Sequence, residues 1–341
     1  LGRSLERPCS EQSASSRYAR PARRTWPSRS VGGSRVPDTF FTTPPEWTWW
    51  IIFYFFIGGI AGGSFFIASL LYLFGRPSDR PVVRLGYYVA FVGVVISGIL
   101  LILDLHRPLR FWHMLVESNT GNLMFKAWTP MSIGSWGLLL FGLFAALAAL
   151  SAAREEERVR WGPGFVVGSG FRTVVAIIGG FLGFFLAGYT GVLLSVSNRP
   201  VWADSPMLGA LFLISAASTA AATLILLARR RDAVDAASLG KLAEFDKWAL
   251  ILELIAIVVF LVTLGAAVQV FLSVWGVLLV LGVIGAGILL PLAIGMGWVK
   301  RWSTKPATAA GVVLVGGFLL RVVYTLSSEQ VHIAGHRVIS P

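Results

Sequence analysis

Residues 104–115 read Asp-Leu-His-Arg-Pro-Leu-Arg-Phe-Trp-His-Met-Leu, which places one carboxylate, two guanidinium groups and two imidazoles within twelve positions. An aspartate close to arginines stays ionised because the opposite charge offsets desolvation. Such a group can take a proton from, or give one to, a bound molecule. Asp104, Arg107, Arg110 and His113 are therefore the first candidates for a site. The plainer alternative is that Asp104 and the arginines cap a helix and clamp a loop.

The elements that must position these residues follow from composition. The chain has 341 residues, 55% of them hydrophobic and only 13% charged, with 37 glycines and 13 tryptophans. Apolar runs long enough to cross a bilayer occur at 47–74, 85–103, 128–150, 173–195, 207–228, 248–268, 275–296 and 309–326. The expectation is an all-α integral membrane protein with eight transmembrane helices, the link between the sixth and seventh being the least marked. Cys9 is the single cysteine, so cysteine-ligated zinc or iron–sulfur clusters within this chain are excluded, and any cluster must belong to a partner.

The net charge of +12 does not point to nucleic acid, because half of it sits in residues 1–37, where eight arginines face Glu6 and Glu11. That Arg-, Ser- and Pro-rich segment has no apolar periodicity and reads as a disordered basic tail, cleaved or misassigned. The remaining chain divides into a membrane domain at 38–330 and a C-terminal tail at 331–341. In the connecting loops, the first, third, fifth and seventh carry 15 Lys and Arg against 4 in the others. By the positive-inside rule the odd loops are cytoplasmic and both termini lie on the outer side. Arg107 and Arg110 then fall on the outer face, where topology supplies no reason for them, so binding does.

Helical rise gives depth: Tyr189 lies ~25 Å along the fourth helix and Arg321 roughly 20 Å along the eighth, both towards the outer face with Asp104. Glu253 instead lies about 10 Å in from the cytoplasmic side. Charged residues within a span are costly and face an interior partner or a cavity. At that outer depth the acid could exchange the proton of a quinol while the Tyr189 phenol hydrogen-bonds a quinone carbonyl. Glu253, continuing through Thr190, is the candidate proton path from the opposite side.

Several motifs in order resemble the NrfD/PsrC family, the membrane subunits of polysulfide-reductase-type respiratory complexes. They are the glycine-rich first helix at 49–63, the 104–115 stretch, Pro130-Met131-Ser132-Ile133-Gly134-Ser135-Trp136, Tyr189-Thr190-Gly191, Leu252-Glu253, and Gly316-Gly317-Phe318-Leu319-Leu320-Arg321. The resemblance implies eight helices in two packed four-helix bundles in the inner (cytoplasmic) membrane. It also implies a menaquinone or ubiquinone near the outer face, contacted by Tyr189 and lined by Asp104 and Arg107, with Arg321 in the same region. No haem or metal is expected in this chain; a docked ferredoxin-like iron–sulfur subunit would carry the clusters and serve a molybdopterin-type catalytic subunit. The family's polar residue before the first helix is replaced here by Pro44-Pro45-Glu46-Trp47, which makes Glu46 a substitute. A secondary transporter using Glu253 and Arg321 is the alternative from another class, and a haem subunit is disfavoured because none of the four histidines lies mid-membrane.

Overall fold

A computed structural model describes residues 47, 49–105, 107–159, 164–197, 199–231, 233–296, 298 and 306–338. The side chains of 165, 167, 306 and 329–338 are not described. The basic tail, Glu46 and His106 lie outside the described residues. Among those described there is no strand, only an isolated antiparallel bridge between Val116 and Leu123.

The helices are α1 (Trp49–Phe74), α2 (Arg80–Asp104), α3 (Pro130–Glu155), α4 (Ser169–Ser195), α5 (Leu208–Ala228) and α6 (Ala236–Thr263). They are followed by α7 (Val274–Gly295), whose middle twelve residues Leu278–Leu289 are π-helical, and α8 (Pro306–Val338). Seven of these are long and apolar enough to cross a membrane, and an eighth if α6 and its bent continuation form one span. The protein is therefore a multi-pass helical membrane protein.

The expected boundaries need correcting at α6. This helix starts at Ala236, twelve residues before the apolar run, because Asp235 caps it by accepting from the Ser238 backbone N–H at 2.9 Å. The Ser238 contacts hold the Asp235 carboxyl below the ordinary carboxylate range. At the other end the helix stops at Thr263. Gly265 takes φ +58, a left-handed value that glycine adopts without a Cβ penalty, and a 3₁₀ helix Gly265–Leu272 leaves at 113° to α6. The chain needs this sharp break to return to α7.

Helix α1 is the hub, packing on α2, α4, α5 and α8, while α3 closes against α2 and α4, and α7 against α8. Small residues permit the approach in lipid. A Cβ on Gly62 would sit 2.5 Å from the Gly183 carbonyl of α4, and one on Gly63 would sit 2.7 Å from the Ala216 carbonyl of α5. The first-helix glycines thus serve as packing surfaces for two neighbouring helices. At the odd-loop end, Glu156 gathers Arg84, Arg158 and Arg231 together with the Tyr88 hydroxyl, tying three loops to one carboxylate.

Candidate functional site

Two polar groupings emerge, and they divide the residues singled out from sequence. The first is the connection between α2 and α3. Helix α2 ends at Asp104, which is half-buried, and Leu105 turns the backbone to an extended conformation. Pro108 then opens a 3₁₀ helix, Pro108–Met114, and Arg107 and Arg110 stand exposed on it. His113 stays within this turn: its Nδ1 lies 3.0 Å from the Arg110 carbonyl and its ring stacks on Trp112 at 3.8 Å.

The connection is fastened to the start of α3. The Met124 carbonyl accepts from the Trp136 indole N–H at 3.0 Å and from the Ser132 hydroxyl at 3.3 Å, while the Lys126 N–H donates to Ser132 Oγ at 3.0 Å. Tyr189 on α4 fastens the same corner from inside, donating its phenol to the Pro130 carbonyl at 2.7 Å with its ring stacked on Phe185. Gly134 makes room for that phenol, since a Cβ there would collide with the Tyr189 hydroxyl. The motif 130–136 is thus a seat for both the loop and Tyr189. Tyr54 of α1, buried and within electrostatic range of Tyr189, joins this corner although the sequence alone did not mark it.

The second grouping lies inside the bundle. Arg321 is 0% exposed and donates from Nη1 to Ser215 Oγ at 3.1 Å and to the Gly317 carbonyl at 2.6 Å, and from Nε to the Phe55 carbonyl at 3.2 Å. Phe56 and Phe212 place ring faces against the guanidinium at 5.5 and 5.7 Å. Glu253, 2% exposed, accepts from the Ser218 hydroxyl at 2.8 Å and is also within hydrogen-bond reach of Ser215. Serines on α5 therefore link an acid on α6 to an arginine on α8 through their hydroxyls, with both charged side chains buried.

This arrangement corrects the depths inferred from the apolar runs. Arg321 and Glu253 share one depth, because α6 begins earlier than its apolar run, and counting from residue 248 places Glu253 too near the opposite face. Arg321 is joined to Glu253 through Ser215 and also holds the Phe55 carbonyl of α1. Thr190 donates to the Ala187 carbonyl of its own helix at 3.0 Å, so its hydroxyl proton is committed locally. Asp246, two turns before Glu253 on α6, is missed by the sequence reading because it precedes the apolar run. Its Oδ1 is buried without a hydrogen-bond partner, and its i, i+7 spacing to Glu253 was the readable signal.

An apolar cavity of about 220 Å³ opens between α1, α4, α5 and α6, lined by residues including Phe66, Phe184, Leu213, Phe245 and Trp248. None of the sequence-predicted site residues lines it.

The family model described as "Polysulphide reductase, NrfD" matches residues 39–334. The chain belongs to the NrfD family. Among curated relatives, it is 30% identical over 288 residues to Protein NrfD of Escherichia coli (strain K12), with 75% of this chain and 85% of that protein covered. It is 29% identical over 242 residues to the Protein NrfD homolog of Haemophilus influenzae, covering 64% and 72% of the two chains. A shorter likeness, 28% over 85 residues, links it to a protein of Mesobacillus selenatarsenatis named as a selenate reductase subunit, with 25% of this chain and 18% of that protein covered. NrfD-family membership accounts for the order of the motifs from α1 to α8.

Proposed function

We propose that this NrfD-family protein is the quinone-interacting membrane anchor of a respiratory oxidoreductase complex. In this reading it lies in the inner membrane as two four-helix bundles with both termini on the outer side. It passes electrons between a menaquinone or ubiquinone near that face and a docked ferredoxin-like iron–sulfur subunit, which serves a molybdopterin-type catalytic subunit. The observation that carries the reading is the family match over 39–334 together with the acid and two arginines at the end of α2. The likeness to a protein named as part of a selenate reductase supports a catalytic partner.

The corner residues suit a quinol head. The Tyr189 proton is committed to the Pro130 carbonyl, yet a phenolic oxygen retains acceptor capacity. Tyr189 can therefore accept from a quinol hydroxyl while keeping its bond to Pro130, whereas donating to a quinone carbonyl requires release of Pro130. A quinone supplies two-electron, two-proton redox chemistry when bound. Asp104, next in the chain to the exposed turn, takes or releases the proton, and Arg107 and Arg110 meet the partner. Asp246 and Glu253 would take up a proton within the bundle, with Glu253 holding it beside the Ser218 and Ser215 hydroxyls.

The test is purification of the tagged protein in mild detergent with identification of copurifying chains and their iron, followed by quinol turnover in Asp104→Asn and Tyr189→Phe. A cluster-bearing partner and turnover reduced about 100-fold in Asp104→Asn, the size of a lost general acid–base contribution, are expected. Full turnover in both variants overturns the site assignment. The buried Glu253–Arg321 pair gives the secondary-transporter reading its own support. Recovery of an iron-free protein alone, with ion uptake abolished by Glu253→Gln, would favour it.

A further inference from the structure

The apolar cavity between α1, α4, α5 and α6 has a form set by how these helices meet. Near the Tyr189 end of α4, helices α4 and α5 touch closely: a Cβ on Gly191 would collide with the Leu208 carbonyl, and one on Gly209 would sit 2.7 Å from a Val192 methyl. Towards the odd loops the cavity reaches α1, where Phe66 lines it with its ring 5.3 Å from that of Phe184 on α4. The hydrogen bond from Ser218 to Glu253 sets the register of α5 against antiparallel α6. Leu213 lies five residues to one side of that link and Phe245 eight residues to the other, and both line the cavity. It therefore extends roughly 20 Å along the helices.

With a volume of about 220 Å³, a cavity of that length is a narrow slot, which suits a single hydrocarbon chain and not a ring system. Its lining is apolar, so water gains no partners there. Trp248 and Leu252 on its rim are 56% and 50% exposed, and the slot opens sideways from the bundle. At the odd-loop end, Trp248 donates its indole N–H to Glu244 at 2.8 Å, and Glu244 also accepts from Lys247 at 2.7 Å. A tryptophan with its ring on an apolar wall and its N–H on a carboxylate marks the boundary between water and hydrocarbon. A slot starting at that boundary is long enough to follow a chain through one leaflet, ~15 Å of hydrocarbon.

We propose that this slot holds one acyl chain of a membrane phospholipid, which enters beside Trp248 and lies against α5 between α4 and α6. Protein contacts on several sides distinguish it from the lipids that merely surround the bundle. The site is independent of the quinone reading. Helix α4 turns Phe185 and Tyr189 towards α3, where a Cβ on Gly137 would sit 2.7 Å from the Phe185 ring and Tyr189 bonds to Pro130. The slot lies instead on the α5 side of α4 and is entered from the odd-loop end.

The test equilibrates the full chain in nanodiscs of phosphatidylcholine containing a trace of the same lipid with a photoreactive diazirine in one acyl chain. The protein is then moved to detergent free of that lipid, irradiated and mapped by peptide mass spectrometry. Peptides carrying 213–217 and 245–252 should be labelled about tenfold above those carrying exposed Leu139 and Leu143 of α3, because a chain held on several sides keeps dispersion contacts that a surface lipid lacks. Ala217→Leu, which fills the slot from α5, should bring that labelling down to the α3 level and leave α3 unchanged. If that variant does not fold, Ile214→Phe on the same wall serves in its place. Labelling of the slot no higher than that of α3, or unchanged in the filled variant, overturns the proposal. Displacement of the label by menaquinone at a lower concentration than by unlabelled phosphatidylcholine also overturns it, in favour of a quinone tail.

Discussion

The connection between α2 and α3 and the Glu253–Arg321 cluster are both rich in charge, but they are built on opposite plans. In the connection Leu109 is 87%, Leu123 71% and Trp128 78% exposed, and the hydrogen bonds run mostly between near neighbours and the start of α3. In the cluster both charged side chains are buried and the partners come from four helices. An exposed charged turn costs the fold little and leaves its surface free for a partner. A buried cluster fixes how four helices sit together, and removing one member strands the others.

That contrast can be broken most sharply at Arg321. Arg321→Met strands Glu253 and should cost about 3–5 kcal/mol of stability, the range for breaking a buried pair, measured by denaturation in mixed detergent micelles. Adding Glu253→Gln should recover part of the loss; no recovery would mean that the two charges are not coupled. Gly134→Ala comes next, because its Cβ forces Tyr189 from its seat, and overpacking of this kind costs about 1–3 kcal/mol. Gly265→Ala strains the break after α6 by about 1 kcal/mol or somewhat more, read by the same assay.

Tyr189→Phe should cost about 1 kcal/mol, one hydrogen bond, while the stacked ring stays in place. A stability loss of that size with a far larger loss of quinol turnover would separate chemistry from packing at this corner. At the exposed end of the comparison, Leu123→Ser and Trp128→Ser should change stability by no more than about 0.5 kcal/mol. Copurification of an iron–sulfur partner should nevertheless fall. If stability fell instead, the connection would be part of the core after all.

The ordering of these effects could not be read from the chain alone. Arg321 and Asp104 look alike in sequence, each a charge towards the outer end of an apolar run, one within it and one just after it. Only the packing of α5 against α6 and α8 makes one a buried hub and the other the end of a helix. Thr190, Ser195 and the first-helix glycines were legible as small or polar groups within spans. Whether a hydroxyl reaches across helices or turns back on its own carbonyl depends on side-chain direction, which spacing does not encode; both Thr190 and Ser195 turn back.

What the sequence by itself determined is the solvent and the punctuation. Runs of some twenty apolar residues have one stable form in lipid, a helix with its own backbone satisfied, so the membrane class and nearly every span followed directly. The motif order was likewise linear information, and it carried the family. Three things were left to tertiary structure: the true start of α6, the company of Glu253 and Arg321, and the fastening of the connection after α2 to the start of α3 and Tyr189. Each depends on residues far apart in the chain meeting at one depth. A capped polar turn can lengthen a helix beyond its apolar run and shift every depth counted from it.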